Sequence, residues 1–233
     1  MRHCSSSRQL ASTLALAGVL LTGVARAQSA PPADHPMLPA DLETEWALSA
    51  APAHLRDGAA VYLLTASGYV RARPGTNAFT CLVNRRGGDL FPVCWDAEGA
   101  RTLMAVDMEV SRRRLAGASA EALEADVAAR YADGRLHPPS RPGLAYMLSP
   151  LRVRIDAKGT ATRSQATPHP MFYAPNLTDA DIGGKRPGVA FINTVGPAGM
   201  VIVPLGAEER RAIDKESADL VARLEKALGV TRP

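Results

Sequence analysis

Residues 1–27 are composed for removal rather than for folding. Arg2 and Arg8 give a positive start, Leu10 to Val24 is a run of apolar and small residues, and Ala25-Arg26-Ala27 is a small-x-small cleavage site. That order is the signature of a secretory signal peptide. The apolar run is shorter than the ~20 residues that span a bilayer, and no later segment reaches that length. Cys4 precedes the run, where a lipoprotein cysteine would follow it, and no Arg-Arg pair stands ahead of it. General secretion is therefore expected over twin-arginine export. The expected mature chain starts at Gln28, has no membrane span and works in the periplasm or outside the cell.

Export changes how the composition is read. The full chain carries 27 Lys and Arg against 23 Asp and Glu, a formal charge of +4. Losing Arg2, Arg8 and Arg26 leaves 24 against 23, or +1, so the basicity belongs largely to the leader. A near-neutral chain offers no electrostatic footprint for nucleic acid or an anionic membrane, and neither is expected as a partner. Cys4 is lost too, which leaves Cys81 and Cys94. In an oxidising compartment such a pair reads as one disulfide. It closes a 14-residue loop, 81–94, worth about 3 kcal/mol in the chain-entropy model. A redox or metal pair would need Cys-x-x-Cys or a histidine at ligand spacing, and the chain has neither. No metal and no cofactor are expected.

The mature length of 206 residues suits one domain. Residues 28–40, QSAPPADHPMLPA, are proline-rich and aperiodic, which predicts an extended tether. Residues 41–233 are expected to form a single α+β domain, mainly antiparallel sheet with packed helices. A helix is predicted from Asp41 to Pro52, then a short turn over 53–56. A hairpin is predicted from VYLL (61–64) and YVRAR (69–73), then a strand AFTCLV (78–83) and a polar loop from Asn84 to Asp89. Helices over about 98–116 and from an Ser119 cap to Gly134 follow. Strands are then predicted at 144–148, 151–157, 160–165, 170–174, 189–195 and 200–205, with a closing helix at 207–228. Hairpin turns between the strands predict antiparallel pairing.

Motifs that would commit the chain to one chemistry are missing. It has no Gly-x-Ser-x-Gly, Ser-x-x-Lys, His-Glu-x-x-His or Gly-x-Gly-x-x-Gly. Gly183-Gly184-Lys185 lacks the rest of a phosphate loop, and the stretch from Thr178 to Gly183 fails as a calcium loop at its third ligand position. Thr178 and Asp181 instead suit a helix N-terminus. His35 and His137 are expected as solvated loop residues. His169 stands apart: Pro168 and Pro170 hold it extended ahead of a strand in which Met171 and Tyr173 share a face. A fixed imidazole beside an aromatic strand suits a pocket, but a structural histidine tying a loop to a neighbouring carbonyl is the reading preferred from the residues. Near the disulfide, Trp95 is placed to stack on a ligand, and Asp96 to act as a base or to cap the following helix. Asn77, Arg85 and Arg86 suit an anion or a solvated face.

The segments GYVRARPGTNAFTCLVNR, CWDAEGARTLM, AYMLSP and PHPMFYAPN resemble a family of uncharacterised secreted bacterial proteins, over about residues 43–206. The resemblance implies export and a single domain. It carries no assigned activity, so no functional residue comes with it.

Two functions compete. One is a periplasmic binding or interaction module for a small molecule or an envelope component, with His169, Tyr173, Trp95 and Asp96 as its candidate site. The other is a hydrolase using His169 with an acid such as Asp96, which requires the two within hydrogen-bond reach. A flavin-binding split barrel is a more distant alternative, suggested by a run of hairpins followed by a helix.

Overall fold

The computed structural model describes Met1, residues 32–164 and residues 167–231. Apart from Met1, the expected leader lies outside the described residues, as do residues 28–31 of the expected tether. The described residues from 32 onward form one unit. It is an α+β domain on a ten-stranded, mostly antiparallel open sheet, not a split barrel.

Helices α1 (Ala40–Leu48) and α2 (Ala53–Arg56) precede two hairpins, β1 (Ala60–Thr65) with β2 (Gly68–Arg73) and β3 (Thr80–Arg86) with β4 (Asp89–Trp95). Then α3 (Ala97–Gly99) runs through a π-helical turn, Ala100–Met104, into α4 (Ala105–Leu115), and α5 (Ala120–Ala132) packs on it. Strands β5 (Leu144–Met147), β6 (Arg152–Ile155), β7 (Ala161–Ser164) and β8 (His169–Tyr173) come next. A 3-10 turn, Asp179–Ile182, leads to β9 (Phe191–Thr194) and β10 (Met200–Ile202). The expected closing helix is two, α6 (Ala207–Glu216) and α7 (Ala218–Leu228), divided at Ser217. Ser119 caps α5 as expected, accepting the Ala122 N–H at 3.2 Å. Asp181 accepts the Thr178 N–H at 2.8 Å, again as expected.

Residues 84–89 do not form a loop. Asn84, Arg85 and Arg86 continue β3, and the chain reverses at Gly87-Gly88 with φ of +61° and +83°. Both values are positive, as a type I′ hairpin turn requires, so two glycines suffice where a polar, glycine-rich run of six residues suggested a loop. Cys81 and Cys94 lie opposite each other in this ladder, Cα atoms 4.0 Å apart and sulfurs at a bonded distance of 2.04 Å.

The sheet order is β2-β1-β3-β4, with β1 and β3 parallel, and beyond β4 the sheet forks. Cys94 and Trp95 pair with β5, whereas Asp89 and Leu90 pair with β6. Residues 91–93 therefore face no strand on that side. One branch continues β5-β8-β10-β9 and the other is β6-β7. Pro92 sits at the opening. By strand alternation its nitrogen points the same way as that of Asp96, whose N–H bonds the Leu144 carbonyl on the β5 side. Proline has no proton to offer there, so the ladder stops and the fork opens.

Each face of the sheet has its own core. Trp46 of α1 and Leu224 of α7 pack with Val61, Val83, Cys94 and Val153 on one face. Leu103 and Met104 of the π-helical turn pack with Leu82, Val93, Trp95 and Met171 on the other. The proline-rich segment ahead of α1 is docked rather than free. His35 is 2 % exposed, not solvated as expected, and the Pro36 carbonyl accepts from Arg85 Nε and Nη2 at 3.2 and 3.0 Å. A buried guanidinium needs acceptors, and this aperiodic stretch supplies one.

Candidate functional site

The four candidate residues fall into two places. Tyr173, Asp96 and Trp95 form one packed cluster where β4 runs into α3. The Tyr173 hydroxyl lies 2.7 Å from Asp96 Oδ1 and 2.9 Å from the Leu144 carbonyl. Asp96 also accepts the Gly99 N–H at 2.9 Å and the Leu144 N–H at 3.0 Å. Asp96 is thus the helix cap, and both of its oxygens are occupied. Trp95 stacks on Tyr173 with ring centroids 6.3 Å apart. Burial, and then Asp96, push the Tyr173 phenol well above its ordinary range, so it stays protonated.

Glycines make this packing possible. A Cβ on Gly99 would stand 2.8 Å from Trp95 Cε3, and one on Gly143 would stand 2.6 Å from Tyr173 Cε2. Gly99→Ala would gain about 1 kcal/mol at an open helical position. Here it is expected to lose about 1–3 kcal/mol through overpacking, a sign that chemical denaturation reads directly. A gain would mean that the cluster is loose.

Glu98 pins the 140–143 segment over this cluster. It is 3 % exposed, accepts the Ser140 N–H at 2.7 Å and meets Arg101 at 2.7 Å. The Ser140 N–H first, and then Arg101, hold its carboxyl down to about 2. A depressed carboxyl stabilises the fold above its ordinary pKa of 4.5 and loses that contribution as pH falls toward about 2. Glu98→Gln should therefore flatten the acid limb of the melting curve across that window. An unchanged acid slope would contradict this role.

His169 stands at the other end of β8, in a cavity of about 510 Å³ within the fork. Phe91 and Pro92 of β4, Met147 of β5, Arg152 of β6 and Arg210 of α6 line it with His169. His169 Nδ1 bonds the Thr167 carbonyl, which can only accept, so Nδ1 carries the proton. Burial, the largest influence, and Arg152 lower the imidazole's pKa, against the opposing Thr167 bond. In the neutral ring Nε2 is then a bare lone pair. It is buried without a hydrogen-bond partner, as are Arg152 Nε and Arg210 Nε. Arg152 also reaches Asp89 at 2.6 Å and lies 5.2 Å over the Phe91 ring. No Asp or Glu lines this cavity among the described residues.

The structure does not join the base and acid of a hydrolase. His169 pairs with Met147 in the sheet, whereas Asp96 follows Trp95, which pairs with Ala145. Nδ1 is spent on Thr167 and the Asp96 oxygens on Gly99, Leu144 and Tyr173. Asn77, Arg85 and Arg86 are not an anion site either. Arg85 is 1 % exposed and bonds Glu43 at 3.0 Å, while Arg86 bonds Asp107 at 3.0 Å and Glu124 at 2.8 Å. Asn77 holds the Leu55 carbonyl at 2.9 Å and caps the Phe79 N–H at 2.9 Å. Their charges and amides are used internally because the strand carrying the arginines is buried. The residues that do join His169, Arg152 and Arg210, carry no local motif; only the register of β6 and the placing of α6 bring them in.

Among the described residues no cluster of three His, Cys, Asp or Glu could hold a metal, and no helix is long and apolar enough to cross a membrane. Compared with known proteins, the chain matches no family model, no curated protein and no solved structure.

Proposed function

We propose that this chain is an exported binding module for a small organic acid, held in the fork cavity by Arg152, Arg210 and His169. The observation that carries the reading is the set of three buried, unpartnered nitrogens on residues lining one cavity that has no carboxylate in its wall. A buried polar group left without a partner costs about 1–3 kcal/mol, and a ligand that supplies partners recovers it. The two guanidinium N–H groups suit an anionic head. The His169 lone pair suits a donor on the same molecule, such as a hydroxyl. Apolar wall from Phe91, Met147 and Ile202 takes the carbon body, and the cavity's size is that of a small-molecule site. No observation favours hydrolysis.

The test is titration of the mature domain with a short hydroxy acid, 3-hydroxybutyrate, by calorimetry. Arg210→Gln should weaken binding by about tenfold or more, since a charge-assisted bond is worth about 1.5–3 kcal/mol. Its melting temperature should stay near wild type, because no ion pair engages Arg210 among the described residues. Equal binding by the variant would remove the arginine from the site. Export, and membership of the secreted family, belong to the same proposal. Intact mass of exported protein should correspond to a chain starting at Gln28, and a mature form retaining residues 1–27 would overturn the export reading.

A further inference from the structure

A second hollow, about 500 Å³, lies beside the fork cavity on the Trp95 face of the sheet. On that face α4 lies over β2 and β3, Leu103 and Met104 of the π-helical turn pack with Leu82, Val93 and Trp95, and β8 and β10 lie farther along the sheet. The hollow is a groove walled by Leu103, Val127 and Tyr131 from the helices and by Trp95, Met171 and Met200 from the sheet. Both hollows share His169, Met147 and Ile202, so the groove begins where the fork cavity ends. At its far corner Arg86 is already shared between Asp107 and Glu124. A second acidic headgroup would find no spare cation at that corner. Trp95 Nε1 is unpartnered in the free protein, so an apolar chain beside it adds no new cost.

The geometry points to a hydroxy acid with an extended aliphatic chain as the ligand class, its head in the fork cavity and its chain in the groove. This rests on the reading of the fork cavity as an acid site and names what that site selects. The carboxylate meets Arg152 and Arg210, a nearby hydroxyl donates to His169, and the chain leaves past Met147 and Ile202. Chain burial sets the discrimination, because each methylene taken from water adds a roughly constant increment.

The experiment compares 3-hydroxybutyrate with 3-hydroxydecanoate on the same mature protein. The longer acid should bind at least about 100-fold tighter. It alone should change the emission of Trp95, since the protein's other tryptophan, Trp46, is 0 % exposed in the core of the opposite face. Ala128→Trp places a large ring at the groove from the exposed face of α5. It should cost the long acid about tenfold or more and leave the short acid unchanged. Equal affinity for the two acids in the wild-type protein would overturn the chain's place in the groove while leaving the acid site standing. Binding of neither acid would overturn both.

Discussion

Glu43→Ala is expected to cost about 3–5 kcal/mol of folding stability, the range for breaking a buried ion pair from one side. Glu43 and Arg85 are each 1 % exposed and meet at 3.0 Å, between α1 and the middle of the sheet. Arg85 also donates to the Val83 carbonyl at 2.9 Å and to the Pro36 carbonyl, so the guanidinium is well supplied with acceptors. Carbonyls do not neutralise it, however. Without Glu43 a full positive charge remains in the core, and the Leu64 N–H loses its 3.3 Å acceptor. Replacing both partners, Glu43→Leu with Arg85→Met, should recover most of the loss, because paired apolar groups avoid the desolvation that the ions suffer. Urea denaturation of the single and double variants measures this. A single-variant loss below about 1 kcal/mol would mean that the pair is solvated and that α1 does not seal this face.

Replacing both cysteines, Cys81→Ser with Cys94→Ser, should lower stability by about 3 kcal/mol and leave the hairpin in place. The crosslink joins residues that the β3–β4 ladder already sets opposite each other, and pairing runs without a break from Thr80 with Trp95 to Arg86 with Asp89. The turn at Gly87-Gly88 needs no help from sulfur, since glycine adopts its positive φ values freely. The loss therefore acts through the unfolded chain, which regains the entropy of a 14-residue loop. Denaturation should show a lower midpoint, while amide exchange at Leu82 and Val93 should stay as slow as global unfolding allows. Wild-type stability in the variant would contradict the crosslink's contribution. Rapid exchange at those two amides would contradict the ladder's.

Local pattern carried much of this fold and little of its site. The β1–β2 hairpin is legible because alternating residues flank a Ser-Gly turn, and α5 because Ser119 and Gly134 mark its ends. Residues 84–89 were misleading for a physical reason. Two arginines and an asparagine read as solvated unless a partner such as Glu43, far off in the chain, is known to meet them in the core. His35 misled in the same way: a proline-rich segment looks free until a buried guanidinium claims its carbonyl. Asp96 was legible as a cap, which needs only neighbours in sequence. The fork was not, since it depends on β5 and β6 dividing β4 between them, although Pro92 in mid-strand marked the break. Strand alternation tied His169 to Tyr173, yet the ends of one strand served two places. Arg152 and Arg210 lie on β6 and α6, and no spacing rule links a strand to a helix that follows four further strands.

A ligand that occupies the fork cavity is expected to bond His169 Nε2. Nitrogen-15 NMR of the imidazole during titration with 3-hydroxybutyrate checks this, because the two ring nitrogens of His169 give separate resonances. Nδ1 should keep its proton, held by the Thr167 carbonyl, while the Nε2 resonance moves saturably as a ligand hydroxyl donates to it. A His169 ring whose two nitrogens stay unmoved while the acid binds, or an acid that does not bind at all, would contradict the account.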